Sequence, residues 1–256
     1  MIKIATPISH LLKDNEDFVK IGMHSDCWEC RDRSFDSIIE KQEVFHCDLQ
    51  PIHNIADEQL EYLEKIRNNK PDLKLITFHC ASNCDQPIIN KDGMFELGGR
   101  KYSKIEMLEN AKKNFSIIKK IFGNNVKIGI ENNNYFDTPA YEYVTDPEFI
   151  SRIVYDNELE FLFDIAHAKV TCHNRKLSFI DYKKKLPLDR IIQVHVCRYG
   201  IDNNGLAYDA HDLPGQEEIE DVLNLANNYN VLYITIEFYK DKVKLINCLK
   251  EIKKIL

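Results

Sequence analysis

The chain has 256 residues, enough for one large domain with a buried core. Its content of 44% hydrophobic and 29% charged residues is typical of a globular protein in water. No apolar run approaches the roughly 20 residues that a transmembrane helix needs, so we expect no membrane association. The formal net charge of -7 supplies no basic surface for nucleic acid and argues against tight binding to duplex DNA.

The amino-terminal segment MIKIATPISH lacks the long apolar region and cleavage site of a secretory signal, so we expect a cytoplasmic protein. In that reducing compartment the eight cysteines should be free thiols. Cys27 and Cys30 have the C-x-x-C spacing, but no second such pair is present, so a closed zinc site is not indicated.

Eight short runs of β-branched and apolar residues predict strands. They cover residues 2–6, 25–30, 43–48, 73–79, 126–131, 159–164, 190–196 and 232–238. Helix start signals lie between several of them, including Asp57, the Ser103–Glu106 capping box, Asp146 followed by a proline, and Gly215. Strands that alternate with helices indicate a parallel sheet. Eight such units predict a (β/α)8 TIM barrel, with residues 1–256 forming one domain.

Side chains that can bind metals recur at the ends of the predicted strands. In a barrel, alternate side chains point inward and active sites lie at the carboxyl ends of the strands. Six strands end with a histidine or a carboxylate in an inward position: His46, His79, Glu131, Asp164, His195 and Glu237. Three more candidates follow in predicted loops: His167, Asp209 and His211.

These nine residues predict a metal centre. A single buried histidine is usually a core residue, and a strand-end aspartate often caps the next helix. Several carboxylates at one barrel mouth, however, would repel each other unless cations lay among them. Imidazole and carboxylate groups suit zinc, manganese and ferrous iron equally, so the metal stays open.

The order of these residues resembles the xylose isomerase-like TIM-barrel superfamily, and within it most closely the endonuclease IV family. That family's pattern of His, His, Glu, Asp-x-x-His, His, Asp-x-His and Glu is filled at all nine positions. The resemblance implies two or three divalent ions. One would be held by His46, His79 and Glu131, a second by Glu131, Asp164, His195 and Glu237, and a third by His167, Asp209 and His211. It further implies catalytic roles for Glu131, Glu237 and His167 around a metal-bridging hydroxide.

The leading functional prediction is therefore hydrolysis of a phosphoester. The segments TPIS, ECRDRSFD and HCDLQPIHN replace the loops with which endonuclease IV grips DNA. The predicted substrate is accordingly a small molecule or nucleotide, and Arg198, three residues after His195, is a candidate for binding its phosphate or carboxylate.

Two other enzyme classes resemble the chain. The segments GIENNNYF and YDAHDLPG are similar to motifs of multinuclear non-haem iron enzymes that oxidatively modify cysteine-containing peptides, although His195-Val-Cys-Arg departs from their usual His-x-Ala-Gly. That resemblance implies a peptide substrate, iron and dioxygen. Sugar isomerases and epimerases share the four residues of the second ion site, but they do not generally keep the Asp-x-His of residues 209–211.

Overall fold

The eight predicted strands form a closed parallel barrel in the computed structural model, which describes residues 1–256. Twelve strands are present: β1 (Lys3–Pro7), β2 (Cys27–Arg31), β3 (Val44–Cys47), β4 (Leu75–Phe78), β5 (Ile88–Ile89), β6 (Phe95–Glu96), β7 (Lys127–Glu131), β8 (Glu160–Asp164), β9 (Ile191–Val196), β10 (Arg198–Ile201), β11 (Ala207–Asp212) and β12 (Tyr233–Ile236). The barrel order is β1-β12-β9-β8-β7-β4-β3-β2, and the pairs β5-β6 and β10-β11 are separate antiparallel hairpins. The predicted fold class is thus confirmed.

Eight α-helices surround the barrel: α1 (Asn15–Gly22), α2 (Asp57–Asn69), α3 (Lys104–Phe122), α4 (Pro147–Asp156), α5 (Ile165–Arg175), α6 (Phe179–Lys184), α7 (Gln216–Asn228) and α8 (Lys242–Ile255). The Ser103–Glu106 capping box at the start of α3 is present as predicted. Asp57 is not a cap, because α2 begins at this residue and Ala56 occupies the capping position. None of the helices has both the length and the hydropathy needed to span a membrane.

The barrel interior divides into an apolar and a polar half. At the amino ends of the strands a small cluster fills the interior: Ala5, Cys27, Val44, Leu75, Ile192 and Tyr233. Two residues further along their strands, Glu29, His46, Thr77 and Thr235 form a buried polar layer. The larger apolar core lies outside the barrel, where aromatic side chains such as Phe78 and Phe115 pack between strands and helices.

All eight cysteines are buried and free. Cys27 belongs to the interior cluster and Cys30 to the outer core, because side chains of a strand point alternately to its two faces. The two thiols of the C-x-x-C spacing therefore do not face a common site.

The prediction of loops at residue 167 and around residue 209 is wrong, because His167 lies in the first turn of α5 and Asp209 and His211 belong to strand β11. Asp202 organises a tight turn by accepting hydrogen bonds from the backbone N–H groups of Asn204 and Leu206, and Gly205 has a φ of 81°. This turn joins β10 to β11, and the resulting hairpin follows barrel strand β9 directly in the chain. Asp209 and His211 consequently stand on a hairpin above the carboxyl end of the barrel.

Candidate metal centre

The nine predicted metal-binding side chains lie together at the carboxyl ends of the barrel strands. They come from β3, β7, β8 and β9, from the residues that follow β4 and β12, from the first turn of α5 and from the hairpin strand β11. The closest contacts divide them into three groups: the first around Glu131, the second around His195 and the third around Asp209.

The first group surrounds one oxygen of Glu131. Glu131 Oε2 lies 3.4 Å from His46 Nε2 and 3.1 Å from His79 Nδ1. The other ring nitrogen of His46, Nδ1, is hydrogen-bonded to Thr77 Oγ1 at 2.8 Å. This contact fixes the ring so that Nε2 faces the centre.

The second group surrounds His195 Nδ1. This atom lies 3.2 Å from Glu131 Oε1, 3.5 Å from Glu237 Oε2 and 3.9 Å from Asp164 Oδ2. The two oxygens of Glu131 therefore face different groups, which is the arrangement of a bridging carboxylate.

The third group is centred on Asp209 Oδ2, which lies 2.9 Å from His211 Nε2 and 3.5 Å from His167 Nε2. Nδ1 of His167 donates to the carbonyl oxygen of Asn132 at 2.9 Å, so its Nε2 is left for Asp209. His211 has a φ of 44°, a left-handed conformation that is uncommon for a histidine and that clusters at functional sites.

Asp164 combines two roles. Its Oδ1 accepts a hydrogen bond from the backbone N–H of His167 at 2.6 Å and thereby caps α5. Its Oδ2 is buried without a hydrogen-bond partner and faces His195. The capping explanation thus accounts for only one of its oxygens.

The donor set fits a group of cations. Three atoms of the second and first groups, Glu131 Oε2, Asp164 Oδ2 and His195 Nδ1, are buried and make no hydrogen bond. An unpaired buried polar atom costs about 1–3 kcal/mol, and metal ions bound in the first and second groups would satisfy all three. Imidazole nitrogens and carboxylate oxygens are the ligands that zinc, manganese and iron accept.

The pKa values reflect crowded, buried charges. Burial raises the pKa of Asp164 to about 7, with Glu237 and Glu131 adding to the effect. Burial alone would lower the pKa of His195, but the carboxylates of Glu237 and Glu29 hold it well above its usual value. Without metal, protons take the positions where cations could bind, so metal and protons compete for this centre.

Glu29 is a buried residue that the sequence analysis did not single out. Its Oε2 accepts hydrogen bonds from His195 Nε2 at 2.9 Å, from the Gln193 amide at 2.7 Å and from the Thr235 hydroxyl at 3.0 Å. Because Glu29 holds Nε2 of His195, the Nδ1 atom is turned toward the centre. The signal was available, since Glu29 shares the inward face of its strand with Cys27.

Arg31 and Tyr239 hold the outer oxygen of Glu237. The Arg31 guanidinium contacts Glu237 Oε1 and also Glu29 Oε1, the latter at 2.7 Å. The Tyr239 hydroxyl donates to Glu237 Oε1 at 3.3 Å. Oε2 of Glu237 is therefore left facing His195 and His211, at 3.5 and 3.8 Å.

Arg198, the predicted substrate-binding arginine, does not line a cavity with the nine clustered residues. It is exposed at the start of β10 and lines a surface pocket of about 500 Å³ with Tyr199, Ile201 and residues 215–218. None of the nine clustered residues lines that pocket. A second cavity, lined by Arg31, Arg33, Asp48, His211 and Tyr239, reaches the centre instead.

A parallel eight-stranded barrel with buried histidines and carboxylates at its carboxyl end defines a metal-dependent TIM-barrel enzyme of the xylose isomerase-like type. The 3-keto-D-glucoside 4-epimerase YcjR from E. coli has this fold, with a TM-score of 0.65, 14% identity, and 99% of this chain and 100% of that chain covered. The zinc-bound IOLI protein matches with a TM-score of 0.66 and 14% identity, covering 99% of this chain and 96% of that one. A magnesium-bound xylose isomerase-like protein from Mycobacterium smegmatis matches with a TM-score of 0.59 and 10% identity, covering 100% of this chain and 96% of that one. At these identities the likeness shows the fold.

The family is shown by a second comparison. The family model of the RiPP precursor modification enzyme MbnB/TglH/ChrH matches residues 102–256, more than half of the chain. The protein belongs to this family, whose members modify precursors of ribosomally synthesised and post-translationally modified peptides. Seven of the nine clustered residues fall within the match, and His46 and His79 precede it. The resemblance to peptide-modifying multinuclear iron enzymes is confirmed, whereas no comparison supports a phosphoester hydrolase.

Proposed function

We propose that the protein binds two or three iron ions and uses dioxygen to modify a cysteine-containing precursor peptide oxidatively. One observation carries the proposal: the match to a peptide-modifying family contains seven of the nine side chains in the three contact groups, and five of these seven are buried. The peptide is the electron donor and dioxygen the acceptor in this reaction.

Each contact group would hold one ion. His46, His79 and Glu131 form the first site. Glu131, Asp164, His195 and Glu237 form the second, and His167, Asp209 and His211 form the third. The assignment rests on which atom of each side chain is free, since Thr77, Asn132 and Glu29 occupy the remaining nitrogens of His46, His167 and His195.

When bound, iron supplies the one-electron chemistry with dioxygen that protein side chains lack. The protein's own contribution is geometric. Glu131 fixes the spacing of the first two sites because its oxygens face opposite groups. Glu131, Asp164, His195 and Glu237 are almost inaccessible to solvent, while His79 and His211 are partly exposed. A substrate can therefore approach the centre past His79 of the first site and His211 of the third.

Two other activities use parts of the same geometry. A pair of bridged ions could clamp a phosphoester, and the second site alone could serve a sugar isomerase. The family match favours the peptide, and no contact in the centre specifically favours the other two.

The test is to purify the protein from iron-supplemented cells and to incubate it with a synthetic cysteine-containing precursor peptide, with and without dioxygen. We expect a mass change of the peptide that requires dioxygen. Asp209→Ala should abolish it and remove about one ion per chain, while Asp212→Asn on the same strand, whose carboxylate pairs with Lys240 instead, should retain both. Unchanged peptide, together with zinc-dependent cleavage of phosphoesters, would contradict the proposal.

A further inference from the structure

We propose that the cavity beside the centre binds a carboxylate of the peptide substrate on Arg31 and Arg33. This inference rests on the proposed function for the peptide nature of the substrate. It replaces Arg198 with two other arginines as the groups that recognise a substrate anion.

The cavity has a volume of about 870 Å³ and lies between the segments that follow β1 and β2. His211 and Tyr239 form its inner wall. His211 contacts Asp209 and lies near Glu237, so a molecule in the cavity borders on the metal-binding cluster.

Arg31 uses only part of its guanidinium inside the protein. Its Nε and Nη2 atoms donate to Glu29, and Nη2 also contacts Glu237. Its Nη1 makes no hydrogen bond within the protein, and 26% of the side chain is exposed, at the cavity. The inner edge of this arginine therefore serves the centre, while an outer donor is left for a ligand.

Arg33 lies on the same segment and is exposed, and no carboxylate of the protein pairs with it. Two acidic residues also line the cavity. Asp48 is directed toward His79, whose Nε2 lies 3.5 Å from Asp48 Oδ1, and Asp36 is exposed. Arg31 Nη1 and the unpaired guanidinium of Arg33 can each donate charge-assisted hydrogen bonds to a carboxylate in this cavity.

The lining also includes three apolar side chains, Ile8, Leu12 and Phe18, beside the polar residues Ser9, His10, Ser34 and Ser37. The cavity thus combines an anion-binding side with a side suited to an aliphatic group. A cysteine whose thiol faces the cluster, followed by an aliphatic residue with a free carboxylate, matches this combination. Either the carboxyl terminus of the peptide or an acidic side chain could supply the carboxylate.

The test measures binding of three synthetic dipeptides to the metal-loaded enzyme under anaerobic conditions by isothermal titration calorimetry. The probes are N-acetyl-Cys-Leu with a free carboxyl terminus, the same peptide amidated, and amidated N-acetyl-Cys-Glu. We expect a carboxylate-bearing probe to bind about tenfold more tightly than the amidated Cys-Leu, as one charge-assisted hydrogen-bonded pair would give. The tighter of the two carboxylate probes identifies the source of the carboxylate.

Arg33→Gln should remove most of this tenfold preference and leave the metal content unchanged. Arg67→Gln is the control, because Arg67 is an exposed arginine on α2 that does not line the cavity, and this variant should keep the preference. Equal affinities for charged and amidated probes, or no binding of any probe to fully metal-loaded protein, would overturn the inference. A failure of the proposed function would show itself separately, as a lack of iron or an unmodified precursor peptide.

Discussion

At the scale of single residues, the centre depends on which atom of each side chain is already engaged. Glu131 presents Oε2 to two histidines and Oε1 to a third. Glu29 and Thr77 do not face a proposed ion, yet each holds one histidine nitrogen so that the other points inward. Partners of this kind orient the ligands, and losing one typically weakens metal binding by about 10- to 100-fold.

Glu29→Gln tests this role. The variant removes the charge that holds Nε2–H of His195 and pairs with Arg31, so His195 Nδ1 should no longer be fixed toward the second site. We expect a 10- to 100-fold loss of affinity for one ion, measured by competition with a chelator. Glu43→Gln is the control, because Glu43 pairs with Lys3 and Tyr233 at the amino end of the barrel. Equal metal affinity of both variants would show that Glu29 does not orient His195.

At the scale of secondary-structure elements, the third site depends on how α5 and the β10-β11 hairpin are held. Lys169 on α5 is buried and pairs with Glu218 at 3.1 Å and with Asp221 at 3.0 Å, both on α7. It also contacts the exposed Glu217. This ion pair network fixes the helix whose first turn carries His167.

Lys169→Met should destabilise the fold because it leaves the buried Glu218 carboxylate without its cation. We expect a loss of about 3 kcal/mol in the free energy of unfolding, measured by urea denaturation. Lys183→Met is the comparison, since Lys183 lies 3.8 Å from Asp221 in a more exposed pair, and it should cost at most about 1 kcal/mol. Similar losses for both variants would contradict a special role of Lys169.

The hairpin turn offers a second test at this scale. Gly205 has a φ of 81°, so Gly205→Ala should strain the turn that places Asp209 and His211, at a cost of about 1 kcal/mol. Gly123→Ala is the control, because it also introduces strain, after α3, where φ is 66° and the new Cβ meets open space. We expect both variants to lose stability but only Gly205→Ala to lose the third ion. Unchanged metal content in Gly205→Ala would show that the site does not need the turn.

The elements show which features the sequence could predict. Strand ends could be found because hydrophobic runs and inward alternation are local properties, and this placed His46, Glu131 and Glu237 on one face of the barrel. The hairpin was missed because the turn signal Asp202-Asn203-Asn204-Gly205 lies between strands with little apolar alternation. The inward position of Glu29 could be predicted from its strand, but its role could not, because its partner His195 lies 166 residues further along the chain.

At the scale of the whole molecule, barrel closure brings the two ends of the chain together around the centre. β1 pairs with both β2 and β12, so residues outside the family match and residues within it line the same mouth. We infer from this closure that residues 1–256 form one domain, as no barrel strand can be removed without opening the sheet. His46 and His79, which precede the match, complete the first site with Glu131.

The measurement that tests the central claim most directly is the metal content per chain, determined by elemental mass spectrometry on protein purified without added metal or chelator. We predict two to three equivalents of iron, in line with three groups of ligands and the family of peptide-modifying enzymes. Two to three equivalents of zinc or manganese would contradict the oxidative function while preserving the metal centre. Less than one equivalent of metal, with no uptake of iron, zinc or manganese on soaking, would contradict the nine-residue centre itself.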